Sequence, residues 1–172
     1  MLINEDYLYD NKLLDWVKYM REHTDDFPVY LSWVHGITHW RHVEAFGLMM
    51  AEDVPEADKE VIQWFAYLHD CRRGSDCYCE EHGVAAAKFI KKIRKTFLSE
   101  LSDEQVKILI LACKSHTLKH RTGNITADIC LDADRLDLPR VGIIPDPKKM
   151  ASAIGAMYAK IPYQEVMKKA GL

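Results

Sequence analysis

The sequence predicts an all-α fold, a single-domain helical bundle, on three observations. Apolar residues recur at three- and four-residue spacing over long stretches, alternating Val/Ile/Thr strands are absent, and the turn punctuation falls between the periodic stretches. The first helix is expected over residues 6–21, with Leu8, Leu13, Leu14, Val17 and Met20 near one face and Pro28 marking the loop after it. The second spans 37–51. A third takes Pro55 into its first turn, where a missing N–H would be unpaired anyway, and ends near His69. Residues 71–79 form a polar loop. The fourth helix, 80–97, carries Val84, Ala87, Ile90 and Ile93 near its core face, and the fifth opens with Ser102 and Gln105 at capping-box spacing and runs to Ser115. Gly123 and Asn124 make a turn. The sixth helix starts near Thr126 or Asp128 and ends before Pro139, and a last segment over 148–160 comes after Pro145 and Pro147.

At 172 residues, 48% hydrophobic and 28% charged, the chain has an ordinary globular composition and enough length for one sizeable core, so residues 1–172 read as one domain. Its 23 basic and 26 acidic residues give a net charge of −3, which supplies no electrostatic footprint for duplex nucleic acid or an anionic membrane. Glu5, Asp6 and Asp10 stand where a signal peptide needs a basic start and an apolar run, and the apolar stretch at 61–68 is too short to span a bilayer. Five cysteines at irregular spacing, Cys71, Cys77, Cys79, Cys113 and Cys130, read as reduced thiols, which points to the cytoplasm. Cys77 and Cys79 are too close together, with no second pair, to suggest a structural zinc site.

The histidines carry the chemistry. His39 heads a stripe continued by Val43, Phe46 and Met50, His82 heads one continued by Ala86, Phe89 and Ile93, and His116 continues backwards to Ala112 and Leu109. His69 and Asp70 adjoin at the end of FAYLHD, and Asp134 lies on an apolar segment four residues after Cys130. Any one of these alone reads as a core histidine bonded to a carbonyl. Together, four or five buried imidazoles and two carboxylates would each cost several kcal/mol to desolvate, roughly, whereas a divalent cation satisfies them all. Imidazole and carboxylate donors suit Mn, Fe, Co, Ni or Zn, with Mg also open, and facing helices of a bundle are where such sites are assembled.

The order HGITHWRHV, FAYLHD, LDADRLD resembles the His, His-Asp, Asp signature of the HD-domain superfamily of metal-dependent phosphohydrolases, and most closely its uncharacterised bacterial members with an HD-x-RR loop and a DADRLDL-x-RVG run. The resemblance covers about 35–147. It implies His39, His69, Asp70 and Asp134 as metal ligands, with His35 one turn too early and Asp132 as the reserve for the last position. His42 replaces the second Arg of the usual HxxRV pattern. Some relatives add two histidines between the doublet and the last Asp, as His82 and His116 would. These two are read either as second-metal ligands or as groups facing the substrate, and the second reading is preferred because only Asp70 offers a bridging carboxylate.

A metal that supplies hydroxide near neutral pH serves phosphate-ester hydrolysis, and the phosphate oxygens then need cationic partners. Arg72 and Arg73, directly after the doublet, are the first candidates, with Arg135, Lys114 and Arg140 behind them. Glu80 and Glu81 are poor candidates for a catalytic carboxylate, which leaves His82 or His116 as proton donor. The expected function is a metal-dependent hydrolase of a small phosphorylated metabolite, a nucleotide by the resemblance. The alternatives are a dinuclear iron oxygenase or hydrolase, and a non-catalytic metal-stabilised binding module.

Overall fold

The computed structural model describes residues 11–172, which form eight α-helices: α1 (Asn11–Glu22), α2 (Ile37–Glu52), α3 (Lys59–Leu68), α4 (His82–Ile93), α5 (Asp103–Ser115), α6 (Ile125–Leu136), α7 (Ala153–Tyr158) and α8 (Tyr163–Lys169). Two 3-10 turns, Leu138–Val141 and Pro147–Lys149, separate α6 from α7. No strand occurs among the described residues, as the periodicity predicts. Residues 6–10 of the expected first helix, Leu8 included, lie outside the described residues.

α3 is the centre of the bundle. It packs against α2, α5 and α6, and all but its two first residues are buried, which is why the stretch 61–68 reads as almost unbroken apolar sequence. α2 also packs on α6, α4 on α5, and α8 returns to α2. α1 closes one side through Trp16, whose ring meets Phe27 and Phe97 edge-on, while Leu13 and Met20 are fully buried beside it.

Helix starts are set by their side-chain caps. Asp58 accepts from Val61 N, so α3 begins after it and Pro55 falls in the preceding turn rather than inside the helix. Ser102 and Gln105 form the expected capping box, and Asn124 caps α6 through Ala127 N. α4 is shorter than its periodicity suggests. Arg94 folds back to donate to the carbonyls of Leu98 (2.5 Å) and Leu101 (2.8 Å), and these bonds satisfy a turn in place of the longer helix. The expected last segment is broken: Ser152 caps α7 at Gly155 N, and α8, which the periodicity does not assign, comes after Pro162. No helix among the described residues is long and apolar enough to cross a membrane.

Candidate metal centre

Five helices deliver one polar cluster into the apolar core. His39 comes from the first turn of α2, His69 caps α3 with Asp70 directly after it, His82 opens α4, His116 caps α5, and Asp134 sits in the last turn of α6. The C-terminal ends of α3, α5 and α6 therefore converge here, and helix C-termini carry the partial negative charge that favours a cation. His39, His69, Asp70, His82 and His116 are all buried, and Asp134 alone keeps an exposed edge, about a fifth of its side chain.

Every imidazole is anchored the same way. His69 Nδ1 donates to Ala66 O (2.9 Å), His116 Nδ1 to Cys113 O (2.8 Å), His82 Nδ1 to Cys79 O, and His39 Nδ1 to Asp137 Oδ2 (2.7 Å). The first three partners lie three residues back, so each ring satisfies a backbone carbonyl of its own turn. With Nδ1 committed as donor, each neutral ring presents an unprotonated Nε2 to the interior.

Those Nε2 atoms crowd around Asp70. His39 Nε2 and His69 Nε2 stand 3.2 Å apart, at 3.8 and 3.5 Å from Asp70 Oδ2, and Asp134 Oδ1 completes this group at 3.2 Å from His39 Nε2. His82 Nε2 and His116 Nε2 stand 2.8 Å apart, at 3.0 and 3.8 Å from the other oxygen, Oδ1. Two nitrogen lone pairs at such distances repel unless a proton or a metal ion lies between them. The donor set fits divalent cations held by imidazole and carboxylate, in two triads, His39/His69/Asp70 and Asp70/His82/His116, that share one carboxylate.

Gly83 lets the second triad form. A Cβ there would lie 2.2 Å from Cys113 O and 3.0 Å from the His116 ring, so only glycine allows α4 to approach α5 closely enough for His82 to meet His116.

The electrostatics reflect the packing. Burial pushes the His69 pKa down to about 3. Burial also opposes charge on His39, but the hydrogen bonds that the protonated ring donates to Asp134 and Asp137 outweigh it and its pKa is raised. Asp70 and Asp134 are held well below the usual carboxylate range: desolvation works against ionisation, and the surrounding histidines overcome it.

The structure separates the other candidates. Asp132 is fully buried away from the cluster, accepting from Ala151 N (2.6 Å) and from Ser152 N and Oγ (2.8 and 2.7 Å), where it ties α6 to the start of α7. Arg73 is buried beside the second triad, with Nη1 3.2 Å from His82 Nε2 and 3.7 Å from Asp70 Oδ1, and its Nε has no partner. Arg72 turns the other way: it donates to Asp26 O and its guanidinium lies over the rings of Phe27 and Phe89 at 5.8 and 5.0 Å. Arg135 does not reach the cluster either, because its Nη atoms donate to the carbonyls of Lys119, His120 and Lys149. Lys114 is exposed, as are Glu80 and Glu81, and Arg140 donates to the carbonyls of Val34 (2.7 Å) and Asp137 (3.0 Å).

Asp137 is a residue of the centre that the sequence pattern does not single out. It is fully buried and accepts from His39 Nδ1, from His42 Nδ1 (2.9 Å) and from Tyr163 Oη (2.6 Å), so His42 and α8 reach the centre through it. Its place one turn after Asp134 in LDADRLD is the signal that could have found it.

Comparison with curated proteins and with solved structures gives no match. The family model for the HD domain matches residues 36–139, more than half of the chain, and this stretch carries both triads and Asp134. HD domains are typically metal-dependent hydrolases, in keeping with a helical bundle that gathers histidines and aspartates at helix ends. The chain belongs to the HD domain family.

Proposed function

We propose that this protein is a dinuclear metal-dependent phosphoric ester hydrolase acting on a small phosphorylated metabolite, a nucleotide in the first instance. The observation that carries the reading is the division of Asp70, whose two oxygens each face a separate pair of inward Nε2 atoms. It favours His82 and His116 as second-metal ligands over groups that face the substrate. His39, His69, Asp70 and Asp134 would hold one divalent ion, and Asp70, His82 and His116 the other. When bound, such ions lower the pKa of water toward neutrality and neutralise phosphoryl charge.

The chain's own residues supply the rest. Asp137 fixes the tautomer and orientation of His39, and three backbone carbonyls do the same for His69, His82 and His116. Arg73, whose guanidinium lies beside the second triad with Nη2 on Cys77 O (3.0 Å) and a buried Nε that has no partner, is the phosphate-binding candidate by its charge and place. The exposed edge of Asp134 marks the side from which substrate enters. All five cysteines are free thiols, which supports a reducing, cytoplasmic setting.

The nitrogen-rich donor set also suits a dinuclear iron oxygenase, and one experiment separates the two readings. Protein purified without chelator is assayed for metal content and then, under argon, against a panel of phosphate esters. Two metal equivalents and anaerobic phosphate release are expected. Oxygen uptake with no anaerobic hydrolysis would decide for the oxygenase.

A further inference from the structure

Two loops distant in sequence are latched beside the centre by three polar side chains. Ser32 Oγ accepts from Val34 N (3.0 Å) and His35 N (3.1 Å) and donates to Asp76 Oδ1 at 2.7 Å. His35 Nδ1 donates to the same oxygen at 2.8 Å. Gly36 sets the path of the chain beyond the latch: a Cβ there would lie 2.3 to 2.5 Å from the carbonyl oxygens of Ser32, Val29 and Tyr30, so only glycine lets the chain turn from His35 straight into α2. The ring is held in one tautomer, with Nδ1 protonated, and its Nε2 has no hydrogen-bond partner among the described residues. His35 is half-buried, and its charge is felt by Asp70 of the centre and by Arg73 and Arg140 at its edge. An imidazole oriented by a carboxylate, with its second nitrogen free, takes up a proton at Nε2 and as the imidazolium can give it to a leaving group.

We propose that His35, oriented by Asp76 and Ser32, gives the proton that the leaving-group oxygen needs. This rests on the phosphohydrolase reading above and names a catalytic group which that reading lacks. His82 and His116 turn their Nε2 atoms to Asp70, and Glu80 and Glu81 are exposed, so none of them is placed for the task. In the step, the bond from phosphorus to the ester oxygen breaks and its electron pair goes to that oxygen, which takes the Nε2 proton of the His35 imidazolium and leaves the ring as the Nδ1–H tautomer that Asp76 holds. The bond from water oxygen to phosphorus forms, the water proton leaves to solvent, and solvent reprotonates His35. The products are an alcohol and inorganic phosphate. Burial draws the His35 pKa below its usual 6.5, with Arg73 and Arg140 adding to the effect and Asp76 and Asp70 opposing it, which makes the imidazolium a stronger acid.

The test compares two esters with metal-loaded protein: an alkyl phosphate, whose alkoxide leaves badly without a proton, and nitrophenyl phosphate, whose phenolate leaves without help. His35→Gln should lose on the order of 100-fold in kcat on the alkyl ester and less than about threefold on the nitrophenyl ester, with unchanged metal content. Asp76 is exposed, so Asp76→Asn keeps the fold, and it should lose about tenfold on the alkyl ester alone. A second readout needs no metal: nitrogen NMR of the metal-free protein should show His35 with Nδ1 protonated, and Asp76→Asn should remove that preference. Equal losses on both esters, an unaffected alkyl ester, or a ring protonated at Nε2 in the wild type would each overturn the assignment. Hydrolysis of neither ester, and of no nucleotide in the wider panel, by the wild type overturns the phosphohydrolase reading itself.

Discussion

The two sides of Asp70 are built from the same parts and differ in charge. On the Oδ2 side, His39 and His69 are joined by a second carboxylate, Asp134, and His39 is backed by a third, Asp137. On the Oδ1 side, no carboxylate stands behind His82 or His116: their Nδ1 atoms meet backbone carbonyls, Arg73 Nη1 also lies 3.0 Å from His82 Nδ1, and it stands 3.7 Å from the shared oxygen. A cation on the first side meets two carboxylates directly. One on the second side meets half a share of Asp70 and a neighbouring positive charge. The two proposed metal positions should therefore differ in affinity, with the Oδ1 side the weaker and the more open to exchange.

Breaking what the two sides share should have the largest effect. Asp70→Ala is expected to take bound metal from two equivalents to none and activity to background, measured by elemental analysis and phosphate release. Retention of one equivalent would show that one side stands without the shared carboxylate. Breaking one side should cost half. Gly83→Ala puts a methyl 2.2 Å from Cys113 O, so α4 must move off α5, and the second triad should lose its metal while the first keeps one equivalent. Loss of both together would mean that the sides are not independent.

A smaller change sharpens the contrast on the first side alone. Asp137→Asn keeps the shape of the group behind His39 but removes its charge, and loss of such a partner weakens metal affinity by about 10- to 100-fold. Competition with a chelator should show the weakening at the tighter position and leave the weaker one unmoved. Equal weakening at both would assign Asp137 to the fold rather than to His39.

Much of this centre is legible in the sequence, for a physical reason. His39, His82 and His116 each continue an apolar stripe, and a helix turn fixes side-chain direction well enough to say that all three point inward. The order of His39, the 69–70 doublet and Asp134 then carries the family. Long side chains at helix edges are another matter. Arg135 lies one residue from Asp134, but its guanidinium is held by the carbonyls of 119, 120 and 149, which lie in loops whose positions no periodicity gives. Arg72 and Arg73 are adjacent and diverge, one onto aromatic rings and one into the core. Asp137 and α8 stay hidden for a similar reason: their meaning depends on each other, through Tyr163, across 26 residues.

The smallest expected effect compares Asp137 with Glu44, a buried carboxylate outside the centre, in the metal-free protein. Burial pushes the Asp137 carboxyl up, but His39, His42 and Tyr163 outweigh it and bring its pKa from 3.8 down to about 2. A depressed folded pKa contributes stability that is present above 3.8 and is lost as pH falls from 3.8 through about 2, worth about 2 kcal/mol at 1.36 kcal/mol for each pH unit. Glu44 is different: no histidine faces it, Tyr67 Oη (2.5 Å) and Gln63 Nε2 (2.8 Å) donate to it, and burial raises its pKa above the usual 4.5 despite both hydrogen bonds and the nearby Arg41 charge. Its contribution is present below pH 4.5 and is lost as pH rises through the raised value. Urea unfolding across pH should then give opposite slopes. Asp137→Asn should be less stable than wild type near neutrality and should converge with it below pH 3.8, whereas Glu44→Gln should match wild type in acid and stay within about 1 kcal/mol of it, on the more stable side, at neutrality. Parallel curves for Asp137→Asn and wild type would show that the charge on Asp137 does not stabilise the metal-free centre.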